Sequence, residues 1–167
     1  MTDIKNIHLS VEIREACLGD VPGLLEMVAE LAEFEHLADQ LVATEEDYRE
    51  SLFGEHPAAE ALVATASEQL VGYAIFFSTF STFVGRAGIW LEDLYVRPDF
   101  RKAGIGKKML KAVGRIAEKR NAGRYEWCVL DWNQKAIDLY TQVGGEILDE
   151  WRIVRLDRAA IEALPVK

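Results

Sequence analysis

Cysteine is scarce in this chain of 167 residues: only Cys17 and Cys128 are present, with three histidines. Two thiols cannot build a disulfide framework, and neither stands at metal-ligand spacing from a histidine, so no metal site is expected. Both cysteines read as reduced packing residues. Proline is also rare, with four in the chain, and no Pro-, Ser- or Gly-rich linker, low-complexity segment or internal repeat divides the sequence. One domain spanning residues 1–167 is the expectation, since half of the residues are apolar and can fill the core of one such domain. Long apolar runs are missing too. Met1 to Ser10 is broken by Asp3, Lys5 and His8, which leaves no signal-peptide core, and no later stretch approaches membrane-spanning length. A soluble, cytoplasmic protein with no membrane partner is expected. Positive charge is in short supply, with 19 Lys and Arg against 28 Asp and Glu and a net charge of −9. Such a surface repels nucleic acid and anionic lipid, and a small cationic partner suits it better. Charge alone would equally serve solubility.

Periodicity divides the chain into alternating elements. Val11 to Arg14 alternates as a strand, and Asp20 before Pro22 opens an amphipathic helix through Leu24, Leu25, Val28, Leu31 and Phe34. Thr44-Glu45-Glu46-Asp47 is a capping sequence for a short helix that Gly54 and Pro57 end. Ala61 to Thr65 and Leu70 to Phe77 form a hairpin about Ser67-Glu68, Ser78 to Ala87 reads as a loop, and Ile89 to Val96 is the next strand. A helix from Gly104 to Asn121 follows, stopped by Gly123, with Met109, Val113, Ile116 and Ala117 facing a core. Tyr125 to Leu130 is a strand and Gln134 to Val143 a helix closed by Gly144-Gly145. Glu146 to Leu148 and Trp151 to Leu156 read as the last strands, with a short helix near Ala159 to Leu164. The order predicts a mixed α/β fold around one sheet.

Three groups of residues carry chemistry. Arg101-Lys102-Ala103-Gly104-Ile105-Gly106 lies between a strand and a helix, so backbone N–H groups and a helix N-terminus converge where a diphosphate would bind. The spacing lacks the Gly-Lys-Ser/Thr of a nucleotide P-loop and the third glycine of a dinucleotide fingerprint. Glu92 and Asp93 form an adjacent acid pair inside an apolar strand, where a carboxylate is costly without a partner or a cationic ligand. Alternation sends Glu92, Leu94 and Val96 to one side and Leu91, Asp93 and Tyr95 to the other, unless a bulge intervenes. Asn133 stands at a helix cap, and Tyr140 lies two turns further on the same face.

Arg-x-x-Gly-x-Gly after Leu91-Glu92-Asp93-Leu94-Tyr95-Val96 resembles the coenzyme A loop of the GCN5-related N-acetyltransferase (GNAT) superfamily. With Trp132-Asn133, Tyr140 and Trp151-Arg152, the stretch from Trp90 to Leu156 is similar to its spermidine/spermine N-acetyltransferase group. The loop Ser81 to Arg86 looks more like the thialysine branch. The resemblance implies a single GNAT-like domain, with a twisted mixed sheet of six to seven strands flanked by about four helices, that uses acetyl-CoA. It places the backbone of Leu94, Tyr95 and Val96 on the pantetheine and Arg101, Lys102, Ala103, Gly104, Ile105, Gly106 and Lys107 on the pyrophosphate. Asn133, Gln134, Lys135 and Ala136 fall on the cofactor arm and Tyr140 beside the thioester sulfur. Met27, Val28, Glu92, Asp93, Glu126, Trp127, Cys128 and Glu150 fall to the acceptor site. The family usually carries glycine where this chain has Lys102.

On that resemblance the reaction moves an acetyl group to a primary amine of thialysine, a polyamine or a diamine. The amine arrives protonated and must lose a proton before it attacks. Glu92 is expected to receive it, directly or through water, and Tyr140 to protonate the departing sulfur. Protein lysine or an aminoglycoside is an alternative acceptor, and a non-catalytic acyl-CoA binding module is the rival from another class. Arg86 is the candidate for a substrate α-carboxylate, and a homodimer is the family's usual assembly.

Overall fold

The computed structural model describes residues 10–165, and strands and helices alternate in the expected order as far as Gln142. Met1 to Leu9, and with them the reading of the N-terminal segment, lie outside the described residues. Two compact units are present, one running to Cys128 and one from Val129.

The first unit contains β1 (Val11–Glu15), α1 (Val21–Phe34), α2 (Glu45–Phe53), β2 (Glu60–Ala66), β3 (Gln69–Ser81), β4 (Arg86–Val96), α3 (Ile105–Lys119) and β5 (Tyr125–Trp127). The strands form one sheet in the order β1-β2-β3-β4-β5. Neighbours are antiparallel except β4 and β5, which are parallel and joined through α3, as a parallel pair needs a crossover connection. Each face is covered. Leu24 and Met27 of α1 pack on Ala61, Val63, Tyr73, Ile75 and Tyr95, with Tyr48 and Leu52 of α2 against their edge. The buried residues of α3 are Ile105, Met109, Leu110, Val113 and Ala117. Their spacing makes one apolar stripe, which meets the opposite face. Gly72 permits the close approach there: a Cβ would stand 2.7 Å from the Tyr95 carbonyl oxygen and 3.4 Å from Met109 Sδ.

Local chemistry explains the boundaries. Thr44 caps α2, its hydroxyl accepting from Asp47 N at 3.2 Å while Asp47 accepts from Thr44 N at 2.8 Å. Asn121, at φ 52°, ends α3 in the left-handed region. The expected stop, Gly123, instead ties the chain to β4. Its N–H donates to the Ala87 carbonyl, and a Cβ there would meet Val84 at 2.7 Å.

The second unit contains α4 (Gln134–Gln142) and α5 (Arg158–Glu162), capped by Asn133 and Asp157.

Several expectations need correction. The sheet has five strands, and five α-helices are present among the described residues. Glu146 to Leu148 and Trp151 to Leu156 are not strands. Their apolar pattern is genuine, but a strand exists only where a neighbouring edge completes its ladder, and no described strand pairs with this segment. The stretch Ser78 to Ala87 is mostly hairpin, not loop: Ser78 to Ser81 pair with Ile89 to Arg86, leaving residues 82–85 as the turn, with Gly85 at φ 67°. Exposure alternates from Phe77 to Ser81 as a pleat requires. Tyr125 to Leu130 shortens to β5. Cys17 and Cys128 are exposed rather than packed, because they fall outside the buried faces of the sheet. Among the described residues no helix is long and apolar enough to cross a membrane.

Candidate active site

A slip in the β3–β4 ladder positions the acid pair. Ile75 pairs with Asp93 and Phe76 with Leu91, so Glu92 has no partner on β3 and is the extra residue of a bulge. Leu91 therefore lies with Phe76 on the α3 side, while Asp93 follows Ile75, and Tyr95 follows Tyr73, onto the α1 side. The expected grouping of Leu91 with Asp93 and Tyr95 fails for this reason. Trp90 lies opposite to Leu91, and its Nε1 donates to the Glu92 carboxylate at 2.9 Å. Both acids thus serve one face.

Their surroundings differ. Glu92 is exposed, whereas Asp93 is half-buried and accepts from the Tyr73 hydroxyl at 3.4 Å. Burial, and then the charges of Glu92 and Glu35, push the Asp93 carboxyl up to about 6, with the Tyr73 hydrogen bond acting the other way. Burial and the Asp93 charge push the Tyr48 phenol up to about 12, and Tyr73 rises well above its ordinary range for the same two reasons. Burial also raises Glu35. A face on which Asp93, Tyr48, Tyr73 and Glu35 all resist further negative charge favours a cation.

Beyond Leu91 the sheet opens. β5 pairs only Tyr125 to Trp127 with Ile89 to Leu91. Leu94, Tyr95 and Val96 meet Ala74, Tyr73 and Gly72 on one edge and no described strand on the other, which leaves main-chain groups for an extended ligand. A turn then leads into α3 through Lys102 at φ 67° and Gly104 at φ 75°. Gly104 is the N-cap, and the amide of Lys108 donates to its carbonyl at 3.0 Å. The N–H groups of residues 105–107 precede this bond and have no acceptor within the helix. A Cβ at Gly104 would meet nothing within 4 Å, so the space in front of the helix is open. Lys102, Lys107, Lys108 and Lys111 are exposed around it, a cationic patch on an acidic chain. Open amides, a helix start and lysines fit a diphosphate. Arg101 acts as a brace here: its Nε donates to the Val96 carbonyl at 2.8 Å, and its guanidinium lies 5.3 Å and 5.4 Å from the ring centres of Phe34 and Tyr95.

The remaining candidates divide. Glu126 pairs with Trp90 in register and lies 3.6 Å from Arg124. Trp127 pairs with Leu91, and its ring is 4.8 Å from that of Tyr125. Met27 is fully enclosed in the core and supports this face from beneath, with Val28 partly buried against it. Arg86 sits at the far end of β4, donating to Asn121 at 3.3 Å. It stands six positions along the strand from Glu92, a distance of about 20 Å, too far to hold the α-carboxylate of a small amino acid whose amine reaches the acids. In the second unit, Asn133 accepts from Ala136 N at 3.3 Å, Gln134 donates to Asp138 at 2.7 Å, Lys135 and Glu150 are exposed and Tyr140 is buried. Tyr48, Tyr73 and Glu35 escaped sequence reasoning. Only the pairing of β3 with β4 reveals Tyr73 as a neighbour of an acid twenty residues away. Among the described residues no cluster of three or more His, Cys, Asp or Glu could hold a metal.

Comparison with known proteins identifies the family. The model of the acetyltransferase (GNAT) family matches residues 25–144. A thialysine N-epsilon-acetyltransferase of Sus scrofa is 41% identical over 95% of this chain and 99% of its own length. An L-ornithine N5-acetyltransferase of Arabidopsis thaliana is 29% identical over 91% of this chain and 86% of its own. Among solved structures, an integron cassette protein from the mobile metagenome of V. cholerae superposes with a TM-score of 0.77 at 24% identity, covering 93% and 98% of the two chains, a likeness of fold alone. The chain belongs to the GNAT family and is an N-acetyltransferase whose acyl donor is acetyl-CoA.

Proposed function

We propose that this protein acetylates the terminal primary amine of a small cationic compound of the thialysine or ornithine kind. The observation that carries the reading is the bulge at Glu92, which turns two adjacent carboxylates onto one face beside the open edge of β4. The high identity to a thialysine acetyltransferase along almost the whole chain supports it, as does the ornithine-acetylating relative.

Acetyl-CoA supplies an activated acetyl carbonyl as its thioester. The main chain of Leu94 to Val96 binds the extended arm, the first turn of α3 with Lys102 and Lys107 binds the diphosphate, and Asn133 to Ala136 contact the arm. Glu92 draws in the ammonium group, a carboxylate of the acid pair takes its proton, and Tyr140 returns a proton to the departing sulfur. Release of free thiol from acetyl-CoA over a panel of thialysine, ornithine and spermidine tests the reading. Thialysine or ornithine should turn over faster than spermidine, and Tyr140→Phe should lower kcat by about 10²-fold or more while leaving acetyl-CoA affinity unchanged. No thiol release with any amine would overturn it.

The assembly we infer is a homodimer. Ile147, Leu148, Trp151, Ile153, Val154 and Leu156 are all exposed within one short segment, a concentration of apolar surface that a lone chain rarely leaves to water. Light scattering should give twice the mass of one chain, and the mass of a single chain would contradict the inference.

A further inference from the structure

We propose that Asp93, braced by Tyr73, is the group that takes the proton from the acceptor's ammonium, and that Glu92 serves to hold the incoming charge. The proposal rests on the amine-acetylating function given above and assigns the proton within it.

Geometry separates the two acids. Glu92 is exposed, and the indole N–H of Trp90 occupies its carboxylate at 2.9 Å. An exposed carboxylate held by an indole N–H is placed to anchor an incoming cation. Asp93 lies one residue further along, half-buried, on the face where Tyr73 rises from β3, Tyr48 from α2 and Glu35 from the end of α1. Tyr73 is wholly enclosed and donates its hydroxyl to one carboxylate oxygen, fixing the side chain while the second oxygen keeps its lone pairs. No cation faces Asp93 among the groups that shift it: Glu92, Glu35 and Tyr73 are its partners, and Tyr48 responds to its charge. A half-buried carboxylate in such company gains most when a ligand brings the positive charge.

The ammonium nitrogen loses two protons on its way to the amide, and Asp93 takes the first. An N–H bond of the ammonium breaks, and its electron pair stays on nitrogen as the lone pair that attacks the acetyl carbonyl. That proton passes to a carboxylate oxygen of Asp93 and leaves to solvent after the amide has formed; the thioester C–S bond breaks with its electron pair on sulfur, and the second proton, shed by nitrogen, replaces the one the sulfur takes up. Burial raises the Asp93 carboxyl to about 6, closer to the working range of a general base than an ordinary aspartate. The base form exists above that value, so kcat/KM should fall as the pH drops through about 6.

The pH profile of kcat/KM, measured for the intact protein with acetyl-CoA and its best amine, provides the test. Asp93→Asn should lower kcat/KM by about 10²-fold or more and remove the acid limb. Glu92→Gln should mainly raise KM and, by removing a like charge beside Asp93, move the limb to lower pH. Tyr73→Phe should move it to higher pH, because the hydrogen bond that favours the carboxylate is gone. The last two variants keep the proposal open to refutation even if Asp93→Asn does not fold. An acid limb lost in Glu92→Gln and kept in Asp93→Asn would overturn it, as would a limb that moves in neither Tyr73→Phe nor Glu92→Gln. A wild-type protein inert toward every amine would instead refute the underlying function, and the proposal with it.

Discussion

Asp20 illustrates how a single side chain takes a different job from the one its position announces. Standing before Pro22, it marks the start of α1 and occupies the N-cap, yet its side chain makes no capping bond. It accepts two hydrogen bonds from Arg14, at 2.7 Å and 2.9 Å, and one from Cys17 N at 2.7 Å, pinning β1 to the head of α1. The Arg14 bonds outweigh burial and hold the carboxyl at about 2, below its ordinary 3.8. The folded value lies below the unfolded one, so the interaction stabilises the protein above about pH 4 and is lost as the pH falls toward 2. A depression of this size corresponds to about 2 kcal/mol. Urea unfolding of Asp20→Asn should show that deficit at pH 7, narrowing between pH 4 and pH 2. A deficit that stayed constant with pH would contradict the assignment. Asp93 is the converse case: a residue visible in the sequence as an acid in an apolar strand, whose partners on β3 and α2 were not.

Among the elements, α3 was readable in advance because its buried positions recur on one side of a 3.6-residue period, and α2 because Thr44 and Asp47 stand at capping distance. The bulge at Glu92 was not, since a one-residue slip between paired strands leaves no trace in composition. The final strands failed for the opposite reason: Trp151 to Leu156 has the right residue types, but strand formation depends on an edge that local sequence cannot specify. The β2–β3 turn lies between these cases. Ser67 and Glu68 marked it by polarity alone, and both adopt left-handed backbone, φ 49° and 66°, a conformation that favours Asn-Gly. Replacing the pair by Ser67→Asn with Glu68→Gly should stabilise the protein by up to about 1 kcal/mol, or roughly 2–4 °C in Tm for a chain of this length. An unchanged or lower Tm by calorimetry would show that the turn carries no such strain.

Over the whole molecule, the net charge of −9 hides a division of labour. Lysines gather at the head of α3 while carboxylates gather on the α1 face of β4, so one chain offers ground for an anionic donor and a cationic acceptor. The glycine turn, the acid pair and the Asn133 cap were all legible as local motifs, because each depends on a few adjacent residues. The opening of the sheet beyond Leu91 and the burial of Asp93 depend on where β5 stops and on how the bulge turns β4, which only the assembled sheet decides. Gly104 is where the account is most exposed to test. Its backbone is left-handed and the space before it open, so a methyl group there would both strain the turn and intrude on a bound diphosphate. Calorimetric titration of acetyl-CoA into the wild-type protein and Gly104→Ala should show one site per chain, weakened about tenfold or more in the variant while its far-UV circular dichroism is unchanged. Equal affinity in the two proteins, or no heat of binding in the wild type, would contradict the account.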